Sequence, residues 1–231
     1  MNSEIAGSAH ARFEPISVDA SPEAFHHLPF DVDARALWVP TLTNPRTLVL
    51  GSSQSADSID QDYLTTKNIA LATRRSGGGA VLVSPDDVVW FDVVLPTTDP
   101  LWHHDVSRSF DWLGNAVQRA LLELDVTTEL YIGPLVSTNW SRRICFAGLG
   151  PGELTMNGRK LVGMSQRRTR HASRIQVAIL RRWDSQEHAN MLQLDDTERA
   201  QAAAELREVA TGIPHSPTEI LNAVFTELNR S

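Results

Sequence analysis

The sequence predicts an α+β fold: a mixed, largely antiparallel sheet flanked by helices. Three observations carry this. Short β-branched runs bounded by Gly, Pro or Asp recur along the middle of the chain. Asn157-Gly158 lies between two of them and suits a two-residue type I′ hairpin loop, which needs φ > 0 at both positions. Helical patterns are fewer and interspersed with the strands or placed after them.

The elements follow in order. Residues 1–12 read as a loose terminus within an N-terminal extension over about 1–20. Ser21-Pro22-Glu23 is a helix start, with Ser as N-cap and Pro at the first helical position. Strands are expected at 47–50, 69–73, 80–83, 88–95, 126–132, 143–146, 153–156, 160–166 and 174–180. Between them, Val106, Phe110, Leu113, Val117, Leu121 and Leu124 form one apolar stripe, which predicts a helix over 106–124. A pair of helices is expected over 184–210, ending near Gly212. Ser216-Pro217-Thr218-Glu219 is a capping-box start for the last helix, so 184–231 reads as a C-terminal helical segment. At 231 residues and 25.5 kDa the chain is expected to form one domain, 1–231.

Composition excludes several classes. Apolar residues are 42% and charged residues 21%, as in an ordinary soluble protein. The longest apolar stretches are strand-sized, so no membrane span is expected. The N-terminus lacks an apolar core after a basic start, which argues against a signal peptide. A lone cysteine excludes an intrachain disulfide and a Cys-rich zinc site, and a reducing cytoplasm is the simple reading. Net charge −7 and a pI near 5.6 argue against nucleic acid as a partner. The cations nevertheless cluster beside glycines, at Arg74-Arg75, Arg142-Arg143, Arg159-Lys160 and Arg167-Arg168. Such recurrence in an acidic chain suggests a local anion site, against the plainer reading of solvated strand ends.

Two segments could carry chemistry. In Arg74-Arg75-Ser76-Gly77-Gly78-Gly79-Ala80-Val81 the glycines let backbone N–H groups approach a ligand and form an anion-binding concavity, to which the arginines can add charge-assisted bonds. The run is neither a P-loop nor G-x-G-x-x-G, and a glycine-rich hairpin or bulge is the structural alternative. In the second segment the hairpin register places Met156 opposite Arg159, Thr155 opposite Lys160 and Leu154 opposite Leu161. Glu153, Thr155 and Lys160 then share one face. A lysine there is either an exposed edge charge or an anchor for a carboxylate, phosphate or carbonyl. Cys145 is either a small buried apolar residue or a nucleophile whose thiolate Arg142, Arg143 and Lys160 would favour. His103-His104 reads as a solvated pair, so no metal site is expected.

These segments resemble the lipoate–protein ligase and octanoyltransferase superfamily, whose catalytic core is shared with biotin–protein ligases. The ligase pattern Arg-Arg-x-Ser-Gly-Gly-Gly-Ala-Val matches 74–81 with the spacer missing; Gly-x-x-Gln matches Gly51-Ser52-Ser53-Gln54; Gly-Arg-Lys-hydrophobic-x-Gly-x-x-Gln matches 158–166. The match covers most of 38–180. It implies a biotin/lipoate ligase-like catalytic domain and an acyl or nucleotide site from Gln54, Arg74, Arg75, Ser76, Gly77, Gly78, Gly79, Ala80, Gly158 and Gly163. It implies that Lys160 contacts the acyl carbonyl or an adenylate phosphate.

One octanoyltransferase class places its nucleophile in a Cys-Phe pair before the lysine hairpin, and Cys145-Phe146 looks like it. Such enzymes take octanoate from acyl carrier protein as an enzyme thioester and pass it to a lysine of a lipoyl domain, on a 2-oxoacid dehydrogenase E2 or a glycine cleavage H protein. No tightly bound cofactor is implied. In the ligase alternative, ATP and Mg2+ activate lipoate and Cys145 is packing. The Asn-Asp pair that ligases use there reads Gly152-Glu153, while the triple glycine is ligase-like. Where both branches commonly carry His-Asp and His-Gly-Thr, this chain has Val83-Ser84 and Gln176-Val177-Ala178. Those departures leave open a third reading, a binding protein that has lost the chemistry. Only residues 181–231 follow Leu180, so the separate C-terminal domain of the larger ligases is not expected.

Overall fold

A computed structural model describes residues 12–42 and 46–230. Ten strands run in chain order as β1 (Pro15–Val18), β2 (Ala36–Pro40), β3 (Arg46–Leu50), β4 (Ile69–Thr73), β5 (Val81–Val83), β6 (Val88–Pro96), β7 (Glu129–Leu130), β8 (Leu154–Met156), β9 (Arg159–Arg168) and β10 (Ala172–Leu180). The helices are α1 (Pro22–His27), α2 (Gln61–Thr66), α3 (Asp111–Leu122), α4 (Ser185–Asn190), α5 (Asp196–Leu206) and α6 (Pro217–Leu228). The seven-stranded sheet has the order β1-β2-β6-β10-β9-β8-β7, and a second sheet runs β4-β3-β5. Among the described strands only β1–β2 and β3–β4 pair in parallel, so the α+β, largely antiparallel expectation holds.

Every residue of β6 is buried, which explains its nearly unbroken apolar run: both faces of the large sheet are covered. On one face lie α3 and α6, with Leu113, Val117, Leu121, Ile220 and Val224 in the main core. The other face meets the small sheet and α1, where Phe25, Val49, Val83 and Trp90 pack together. The far side of the small sheet is closed by α2, α4 and α5. No helix among the described residues is long and apolar enough to cross a membrane.

The hairpin turn forms as expected, with Asn157 at φ 52° and Gly158 at φ 74°. Thr155 faces Lys160 and Met156 faces Arg159, but a bulge after Leu154 sets that residue opposite Val162, not Leu161.

Other expectations shift. The predicted strand at 143–146 is a single bridge, Ala80 to Ile144, followed by a 3-10 turn at Cys145–Ala147. Both bonds of that bridge are spent at once, Ala80 N–H to Arg143 and Cys145 N–H to Ala80, and the chain then turns on Ile144 and Cys145 carbonyls. The run at 126–132 keeps only β7. The helix foreseen from Val106 starts at Asp111, because the Ser109 hydroxyl bonds back to the Val106 carbonyl and reaches Gln166. The short elements β1, β2 and α2 had no periodic signal, although Asp60 caps α2 through the N–H of Tyr63. The loose terminus expected at 1–12 lies outside the described residues except for Arg12.

Candidate functional site

The glycine loop is shaped from behind by Arg74. That side chain is buried and donates to the carbonyls of Val49 (3.2 Å), Gly77 (2.9 Å) and Gly79 (2.8 Å). With the Gly77 and Gly79 carbonyls turned toward the guanidinium, the N–H groups of Gly77, Gly78 and Gly79 take no partner among the described residues. Gly78 sits at φ 99°, a left-handed conformation. Gly51 at the end of β3 passes so close that an added Cβ would lie 1.9 Å from the Gly78 carbonyl oxygen. Gln54 joins this strand end to the cysteine segment: its Oε1 accepts from Gly51 N–H at 2.8 Å and its Nε2 donates to the Arg143 carbonyl at 3.0 Å.

Lys160 is buried, not an exposed edge charge. Its Nζ lies 2.7 Å from Glu153 Oε2, 2.9 Å from the Gly148 carbonyl and 3.3 Å from the Cys145 carbonyl. An ammonium has three protons, so all of them are engaged. Glu153 is equally committed: Oε2 accepts from Gly150 N–H at 2.7 Å and Oε1 from Met164 N–H at 2.9 Å. The ion pair thereby clamps the segment 145–153, and breaking it from one side would strand a buried charge. Phe146 packs its ring 5.1 Å from Nζ.

Cys145 is half-buried where two chambers meet. The inner one is a narrow slot of about 50 Å³ between the two sheets, lined mainly by apolar groups of Val49, Val81, Val83, Trp90, Phe146 and Ala178. Gly163 also lines it, and a Cβ there would come 3.1 Å from the Phe146 ring. The outer chamber is a basin of about 710 Å³, open to solvent, with Gly77, Gly78, Gly79, Arg142, Glu153 and Lys160 on its walls. An apolar slot with a few convergent polar groups is the ordinary form of a small-ligand site. The Cys145 sulfur lies 3.9 Å from the Cβ position of Gly78, so thiol and glycine loop adjoin.

A buried polar chain crosses the slot wall. Ser76 donates its hydroxyl to Gln176 Oε1 at 2.9 Å, and Gln176 Nε2 lies 2.7 Å from His26 Nδ1. The His26 ring stacks on Trp90 at 4.5 Å. Burial, then the charges of Arg74 and Arg174, push its pKa down to about 2, so the ring is neutral. Asp92 beneath accepts from Trp90 Nε1 and pairs with Arg174; burial pushes its carboxyl upward against the pull of Arg174.

The sequence-derived residues thus divide. Cys145, Lys160, Gln54, Gly77, Gly78, Gly79 and Gly163 converge on the chambers, and Ser76 lies behind them, buried against Gln176. Arg74 lines the slot, yet its guanidinium holds backbone carbonyls. Ala80 is buried in the bridge to Ile144. Arg75 is exposed and Gly158 is at the hairpin turn, and neither lines a chamber. His26 was not foreseen; the Ser21-Pro22 signal fixed its helix, but nothing local marked one histidine of the His26-His27 pair as facing the sheet.

The chain is similar to several known proteins. The chain is 27% identical over 176 residues to an octanoyltransferase LipM from an Exiguobacterium species, covering 73% of this chain and 63% of the relative. It is 32% identical over 127 residues to an octanoyltransferase LipM from Moorella thermoacetica, covering 54% and 46%. Each match therefore spans less than two thirds of the relative. In fold the chain is similar to the bipartite lipoate protein ligase of Thermoplasma acidophilum, with a TM-score of 0.73 at 20% identity over 96% of this chain and 83% of that one. The lipoyl protein ligase A/B catalytic domain model matches residues 31–222, which takes in the glycine loop, Cys145 and the lysine hairpin, and the chain belongs to that family.

Proposed function

We propose that the chain is an acyltransferase that moves an octanoyl group, or a related medium-length acyl group, from a thioester donor to a lysine of a lipoyl domain. One observation carries this reading: the lone thiol stands where the apolar slot meets the solvent basin, flanked by unpartnered glycine amides. The acyl chain enters the slot and its carbonyl stays at the junction. Cys145 sulfur attacks that carbonyl carbon; the donor's C–S bond breaks, and the donor leaves as a free thiol carrying the proton. The acceptor lysine, as free amine, then attacks the acyl-cysteine, forming an amide and restoring the thiol. Free amides of the glycine loop suit the oxyanion of each step.

Lys160 frames the nucleophile. To reach an acyl oxygen it must give up one bond, and the 3.3 Å contact to the Cys145 carbonyl is the longest. Acyl carrier protein suits as donor, and E2 and H proteins as acceptors. The ATP-dependent ligase reading keeps one observation in its favour, since unpartnered amides in a wide basin also suit phosphate. Against it, Glu153 stands where ligases use Asn-Asp, and its Oε2 is already shared by Lys160 and the Gly150 N–H.

The deciding experiment is the intact mass of a lipoyl domain after incubation with this protein. One arm supplies octanoyl-acyl carrier protein without ATP; the other supplies lipoate, ATP and Mg2+. An octanoyl adduct in the first arm is expected. An adduct in the second arm alone would replace the transferase with the ligase.

A further inference from the structure

The slot is not purely apolar. His26 contributes a polar ring to its wall beside Trp90, and the residue is only 9% exposed. Its protonation can be worked out from its neighbours. Asp92 accepts from Trp90 Nε1 and from Arg174, so it is a carboxylate. Gln176 turns one end of its amide to that carboxylate (3.5 Å), which must be the NH2 end, and its oxygen to the hydroxyls of Ser76 and Ser165. The same NH2 group lies 2.7 Å from His26 Nδ1, so Nδ1 accepts. A neutral imidazole that accepts at Nδ1 carries its proton on Nε2. Nε2 has no partner among the described residues, and it is not among the fully enclosed polar atoms that lack one. The ring therefore has one N–H to offer and an apolar slot beside it.

We propose that His26 Nε2–H is a specificity determinant: the slot selects medium-length acyl chains that carry an oxygen acceptor along the chain, such as an oxo group, over plain saturated chains. The inference rests on reading the slot as the acyl site. Its energetic logic is an unmet donor: a saturated chain leaves the N–H without a partner, while an oxygen at the right carbon meets it. Arg74 also lines the slot, and three of its guanidinium N–H groups are bound to backbone carbonyls.

The test is competitive binding of free octanoate against 3-, 5- and 7-oxooctanoate, by calorimetry, on the wild-type protein and on His26→Phe, which keeps a ring against Trp90. One oxo isomer is expected to bind about three- to tenfold more tightly than octanoate to the wild type, the span of one neutral hydrogen bond. His26→Phe should bring the two together. Octanoate binding as well as or better than every oxo isomer, or an unchanged preference in His26→Phe, would overturn the assignment. The wild-type comparison decides the matter even if the variant fails to fold. Nitrogen-15 spectra add an independent readout: Nε2 should carry the proton, and its signal should move with the preferred oxo acid and not with octanoate. The reaction is judged separately by the adduct assay above. Octanoyl transfer without acceptor-atom preference would sink this inference alone, and preference without transfer would sink the reaction alone.

Discussion

Two buried cations flank Cys145, and they are held in opposite ways. Arg74 bonds only to neutral carbonyls, three of them, on the glycine-loop side. Lys160 bonds to one carboxylate and two carbonyls on the hairpin side. A guanidinium is a rigid fork of donors and cannot lose its charge, which suits a loop whose carbonyls must be fixed. An ammonium is a point charge on a flexible stem, and it can exchange one partner for another. The loop is therefore the static wall of the site, and the hairpin holds the cation that can exchange a partner.

The centre both cations serve should show the largest effect. Cys145→Ser is expected to remove the acyl-enzyme and to lower transfer by about a thousandfold or more, read as the mass adduct after rapid quench. Undiminished turnover would leave the two walls with no nucleophile to frame. Next comes the contrast in stability. Lys160→Met strands the Glu153 carboxylate and should cost about 3–5 kcal/mol in urea unfolding. Adding Glu153→Gln should restore a good part of it. Arg74→Met strands carbonyls only and should cost about 2–4 kcal/mol, with no acidic partner whose removal restores it. If Glu153→Gln does not help the lysine variant, the two cations are not held differently after all.

A kinetic test follows. Gly79→Ala would place a Cβ 2.6 Å from the backbone of Ile144 and 2.7 Å from the Cys145 nitrogen, moving the nucleophile, so kcat should fall by about tenfold to a hundredfold. Gly77→Ala meets nothing within 4 Å and should stay close to wild type. Equal losses at both would mean that the loop is not a rigid wall. The smallest effect concerns pH. His26 titrates near 2 when folded against 6.5 ordinarily, so the unfolded chain takes the proton first. The contribution is whole above about pH 6.5 and is lost progressively as pH falls below it. His26→Phe should flatten that slope between those limits, with a residue left by His188, which burial pushes the same way. An unchanged slope in thermal melts would remove His26 from the neutral interior.

Much of this was legible in the sequence because it is written in backbone chemistry. Asn157-Gly158 fixes a turn and hence the pairing of Thr155 with Lys160. Three glycines announce close approach, and the Ser21 and Ser216 caps mark their helices. What escaped depends on long-range partners. Arg74 looked like a ligand group, but its direction is set by carbonyls on β3 and on its own loop. The depth of Lys160 follows from Glu153, whose carboxylate is folded back by Gly150 and Met164. The strand expected at 143–146 had suitable residues but only Ala80 to pair with. His26 reaches the slot only because α1 lies on the sheet face that Trp90 and Gln176 share.

The chain after α5 passes beside the lysine hairpin. Lys160 N–H donates to the Val209 carbonyl and Thr211 N–H donates to the Lys160 carbonyl. The peptide groups on both sides of this lysine are thus sewn to the thread between α5 and α6, while its side chain frames the thiol. Solvent deuterium can replace the Lys160 amide proton only when that thread lifts. The exchange rate of one backbone proton then becomes a gauge of how firmly Cys145 is framed, and under the proposed reaction acyl loading of Cys145 should register there without any ligand touching residues 209–211.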